Sequence, residues 1–145
     1  NLCPLRGAKV RDSLAWSKYL HRALARWGQD SDVVFAQHHW PTWGGDKVRR
    51  FIAEQRDLYR VLHDQTVRLM SHGLKAAEIA ERLELPEALA QRWHTRGYYG
   101  TASHNVKAIV QHYLSWYDAH PANLHALPPV AAARKHVEYK EGKIK

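Results

Sequence analysis

The chain has 145 residues, 45% of them apolar, and a formal net charge of +8, which fits one soluble-type domain with a sizeable core. Its one cysteine, Cys3, excludes an internal disulfide framework and a cysteine-rich zinc site, and no apolar run approaches the roughly 18 residues of a membrane span. The basic residues are dispersed apart from Lys140, Lys143 and Lys145, so the charge reads as solvated faces or attraction for an anionic substrate rather than a nucleic-acid stripe.

The first segment, Asn1-Leu2-Cys3-Pro4-Leu5-Arg6, lacks the charged-then-apolar pattern of a leader peptide, and no initiator Met opens it. The compartment stays open, with a periplasmic or secreted location among the options. Arg6-Gly7-Ala8-Lys9 reads as a strand-to-helix junction. Its guanidinium could grip an anion bidentately, or could simply be a surface charge. Asp12 is the expected N-cap of an amphipathic helix ending at Gly28. Residues 33–37 favour a strand, because Val33-Val34-Phe35 suits a pleated, buried environment.

His38-His39 follows that strand and opens the turn-rich stretch Trp40-Pro41-Thr42-Trp43-Gly44-Gly45. Imidazoles at a strand end, on a Pro/Gly loop, are a common presentation of a metal ligand; such a pair is also often just solvated. Composition changes at Gly44-Gly45. Before it lies one strand with no partner in the sequence, which reads as the edge of an α/β layer. After it the pattern is nearly all helical.

Asp46 is placed to cap a long helix with apolar positions Val48, Phe51, Ile52, Leu58, Tyr59, Leu62, Leu69 and Met70, stopped by Gly73. Two short helices, 75–83 and 86–93, follow as a helix-turn-helix pattern. A DNA reader would use Gln91, Arg92 and His94. The many alanines and leucines favour a packed hairpin instead. The loop 96–105 gathers Arg96, Tyr98, Tyr99, Thr101, Ser103, His104 and Asn105 around Gly97 and Gly100. It reads equally as an oxyanion site before a helix or as a tyrosine plug with Asn105 as the cap. A helix over 105–117, a loop over 121–129 and a last helix over 130–140 complete the chain. No H-x-H-x-D-H, H-E-x-x-H or Cys/His zinc motif occurs.

The strings LRGAKVRD, HHWPTWG, QRDLYRVLHDQTVRL and RGYYGTASHNVKAIVQHYLSWYDAHPANLHALPP, in this order and spacing, resemble the alkylsulfatases of the metallo-β-lactamase superfamily. The resemblance implies a mainly α chain: residues 1–45 as the C-terminal edge of an α/β, metallo-β-lactamase-like catalytic domain, and residues 46–145 as an all-helical dimerisation domain. It implies hydrolysis of alkyl sulfate esters to an alcohol and inorganic sulfate at a binuclear zinc site. The terminal zinc-ligand histidine maps to His38, with His39 the fallback. Arg6 matches the family's sulfate-binding arginine, and Tyr99 and His104 are the preferred further substrate contacts. No catalytic residue maps to this chain. The family's H-x-H-x-D-H motif and its ligating carboxylates have no counterpart here, so one zinc ligand is all the chain is expected to provide. The isolated chain is expected to be inactive. The implied partners are the remaining part of the catalytic domain, a second copy in a homodimer and the alkyl sulfate substrate, with no nucleic acid and no membrane span. A helix-turn-helix DNA-binding protein, or a dimerisation module without a catalytic role, are the competing readings.

Overall fold

A computed structural model describes residues 1–4 and 6–141; Leu5 of the first matched string and two lysines of the basic tail, Lys143 and Lys145, lie outside them. The described residues are mainly helical, with one short hairpin among them. Its elements are α1 Ser13–Trp27, β1 Val33–Ala36, β2 His39–Trp43, α2 Gly45–Ser71, α3 Ala76–Arg82, α4 Glu87–Ala90, a 3₁₀ turn Trp93–Thr95, α5 Ala102–Leu114, α6 Pro121–Leu124 and α7 Pro129–Glu141. Two spatial units divide at Ser115/Trp116. Among the described residues no helix is long and apolar enough to cross a membrane.

Helix α1 starts where the sequence places it: the Asp12 carboxylate accepts from Ala15 N at 2.9 Å, and Gly28 closes the last turn on Leu24 O. Before α1, Arg6 and Gly7 form a turn, with Gly7 at φ +81°. No strand precedes it among the described residues, so the expected strand-to-helix junction is a turn-to-helix one.

The lone strand acquires a partner. β1 and β2 pair antiparallel, Val33 opposite Trp43, Val34 opposite Thr42 and Ala36 opposite His39, with an irregularity between Val34 and Ala36. Trp40 to Trp43, expected as loop because of Pro41, is therefore strand. Proline is tolerated there because both strands of a two-stranded sheet are edges.

Helix α2 begins at Gly45 after Gly44 (φ +93°), rather than on an Asp46 cap, and Gly73 (φ +82°) follows its end. Val48, Leu58, Leu62 and Thr66 recur on one side and are buried. Leu58 and Leu62 join Leu2, Ile79, Val106, Ala108 and Ile109 in the main core, each large side chain contributing about 1.5–3 kcal/mol by leaving water. The composition change at Gly44-Gly45 is no break in packing, since α1 lies along α2. Helix α5 starts three residues earlier than expected: Thr101 caps it, and the buried Asn105 carboxamide instead accepts from Leu2 N at 2.9 Å. The helix ends at Leu114, short of Tyr117, where Ser115 adopts φ +66°. In the second unit, the four-residue α6 interrupts the expected loop and α7 forms as the pattern demands.

Candidate functional site

The hairpin turn is Gln37-His38, so His38 stands at its tip, exposed. His39 opens β2, also exposed; its ring centroid lies 4.7 Å from that of Trp93 and 5.8 Å from that of Trp40. An exposed imidazole on a turn fits a single zinc ligand. It does not make a zinc site alone, because among the described residues no group of three or more His, Cys, Asp or Glu side chains could hold an ion.

Arg6 is exposed in its turn. The loop 96–105 folds tightly on its own chain: a Cβ on Gly97 would lie 2.8 Å from Gly100 O, and one on Gly100 would lie 2.7 Å from the Asn1 side chain. The glycines thus serve close approach of protein to protein. Tyr98 and Tyr99 are 75% and 57% exposed, which removes the core-plug reading. They line a cleft of about 470 Å³ with Asn1, Gln55, Thr101 and Asn105, while Arg6, His38 and His104 do not line it. His104 completes the start of α5: Thr101 N donates to its Nδ1 at 3.2 Å. A neutral ring accepting there carries its proton on Nε2.

Two polar clusters carry no motif in the sequence. Glu54 on α2 meets Arg92 Nε at 3.0 Å and His94 Nε2 at 2.6 Å, the latter with directions that miss hydrogen-bond geometry. Buried His63 meets Asp64 through Nδ1 and Tyr113 OH through Nε2, both at 2.7 Å. The available signal was a polar residue at core spacing: Glu54 follows Phe51 by three, and His63 follows Tyr59 by four.

Comparison with known proteins identifies the lineage. The family described as "Alkyl sulfatase dimerisation" matches residues 75–145. The alkyl/aryl-sulfatase BDS1 of Saccharomyces cerevisiae is 54% identical over 98% of this chain and 22% of its own length. A linear primary-alkylsulfatase of Pseudomonas sp. is 49% identical over 98% of this chain and 21% of its own. The solved stereoselective inverting sec-alkylsulfatase Pisa1 of Pseudomonas sp. superposes with a TM-score of 0.91 at 46% identity, over 96% of this chain and 22% of that one. Residues 75–145 belong to the alkyl sulfatase dimerisation family, and nearly the whole chain is similar to part of these alkylsulfatases. The chain spans about a fifth of the length of these relatives.

Within residues 75–145 the helix-turn-helix pattern is a packed element. Helix α4 has only four residues, too short to lie along a groove. Of the three would-be readers, Gln91 Nε2 donates to Glu87, and Arg92 and His94 both turn to Glu54.

Proposed function

We propose that this chain is the part of a zinc-dependent alkylsulfatase that joins the end of its metallo-β-lactamase-like catalytic domain, residues 1–45, to its helical dimerisation domain, residues 46–145. The complete enzyme hydrolyses alkyl sulfate esters to an alcohol and inorganic sulfate. The observation that carries this reading is identity of 46–54% to three alkylsulfatases across nearly every residue of the chain.

In this reading His38 supplies one ligand to a two-zinc centre, and the other ligands come from the remaining part of the catalytic domain. Zinc, when bound, supplies Lewis acidity. The roles of this chain's residues follow from their chemistry. The Arg6 guanidinium offers a permanent charge and a planar fork to sulfate oxygens. Tyr99 brings a phenol to the rim of the cleft. His104, its Nδ1 taken up by the α5 cap, offers an Nε2 proton to an oxyanion. The assembled enzyme is a homodimer, with the helical domain providing the contact, as the description of the family matching residues 75–145 supports.

The test uses the complete enzyme, with zinc content and dodecyl sulfate hydrolysis measured together. His38→Ala is expected to lower zinc occupancy and abolish turnover. Arg6→Ala is expected to raise KM, by about tenfold or more for a lost charged contact, with zinc content unchanged. Full activity of His38→Ala would remove the ligand assignment, and turnover by the 145-residue chain alone would remove the reading of it as one part of a site.

A further inference from the structure

The proposed ligand sits on the two-residue turn of a two-stranded hairpin, an element that is marginal on its own. A metal ligand needs its ring direction fixed by neighbouring groups. The helical body provides such a group. Trp93 presents its indole to His39, the residue next to His38, with centroids 4.7 Å apart and planes inclined at 41°.

Trp93 is itself held from both sides. Helix α4 ends at Ala90, before it reaches this residue. Instead the Glu54 carboxylate of α2 takes Arg92 with one oxygen and His94 with the other. The next residue of α2, Gln55, donates through Nε2 to the His94 carbonyl, and the Phe51 ring lies 5.0 Å from the His94 ring. Glu54 and His94 are 15% and 11% exposed. A carboxylate withdrawn that far from water is costly unless paired, and its two partners flank Trp93.

We propose that Trp93 is a positioning residue for the metal site: clamped by Glu54, its indole braces His39 and so aims the adjacent His38. The inference rests on the reading of His38 as a zinc ligand, and its test separates the two. In the complete enzyme, zinc affinity is measured by competition with a chromophoric chelator, and ligand geometry by the visible spectrum of the cobalt-substituted protein. Trp93→Ala is expected to weaken the ion held by His38 by about 10–100-fold and to alter the cobalt bands, as loss of a supporting contact does. Trp93→Phe, which keeps a ring, is expected to recover most of the affinity. Glu54→Gln, which loosens the clamp, is expected to fall between the two. Adding Trp93→Ala to His38→Ala is expected to weaken zinc no further.

Wild-type affinity and spectrum in Trp93→Ala, with His38→Ala impaired, would overturn the positioning role and leave the ligand assignment standing. Normal zinc binding by His38→Ala would overturn both. If Trp93→Ala does not fold, Glu54→Gln decides: an unchanged affinity and spectrum there overturns the proposal.

Discussion

His63 shows how one buried polar side chain can tie two helices together. Its ring is hydrogen-bonded to Asp64 through Nδ1 and to the Tyr113 hydroxyl through Nε2, which links α2 to α5. Asp64 also accepts from Arg60 at 2.6 Å. Burial pushes the Asp64 pKa upward, but the hydrogen bonds from His63 and Arg60 outweigh it and hold the carboxyl below its ordinary 3.8. A group depressed in the folded state contributes its full stability above the ordinary value and loses it as pH falls through the folded one. Urea unfolding followed from about pH 6 down to about pH 2 should therefore show the wild type losing its advantage over Asp64→Asn below about pH 4. The carboxylate is 44% exposed, so added salt should shrink the difference. A curve for Asp64→Asn parallel to wild type would mean the network contributes nothing through this charge. Asn105 is a second case. Its carboxamide is the partner of the buried Leu2 N–H, so Asn105→Ala should cost about 1–3 kcal/mol in chemical denaturation, the penalty of an orphaned buried donor.

At the scale of elements, α2 is the longest helix and its end tests how much a single backbone conformation matters. Gly73 adopts φ +82°, and a Cβ there would meet nothing within 4 Å. Gly73→Ala should thus cost only the backbone term, about 1 kcal/mol, read as a small fall in melting temperature with helicity intact. Elements whose boundaries rest on local chemistry were legible in the sequence: Asp12 and Gly28 delimit α1, and Gly73 stops α2. Those decided by tertiary contacts were not. Pro41 marked a loop, yet pairing across Trp43 and Thr42 makes it strand. Asn105 looked like a cap, yet four residues upstream Thr101 caps α5 and frees Asn105 to hold the N-terminal segment. The second helix of the apparent DNA-binding motif stops at Ala90 because Arg92 and His94 are drawn to Glu54. For the proposed site, the pair His38-His39 could be picked out by residue type and position, with His38 preferred on the family resemblance. Trp93 could not, because a ring contact between residues far apart in the chain leaves no mark on local spacing.

At the scale of the whole molecule, the proposed homodimer needs a surface that meets a second copy. The second unit, from Trp116 onward, carries α7, on which Val130, Val137 and Tyr139 are 76%, 53% and 69% exposed. Val130, Ala133 and Val137 recur at intervals of three and four, so they share one face. Two valines on one face of an exposed helix gain little in water and suit a facing copy, where each would contribute about 1.5 kcal/mol or more if fully covered. The family matching residues 75–145 is described by dimerisation, and in the proposed homodimer this face is a candidate contact. In the complete enzyme, Val130→Glu and Val137→Glu should each weaken the dimer by about tenfold or more, and the pair should sediment as monomer at micromolar concentration. Circular dichroism should stay unchanged, because neither side chain contributes to the core around Leu62 and Ile79. If the doubly substituted enzyme still sediments as a dimer, the contact between copies lies on a surface other than this face of α7.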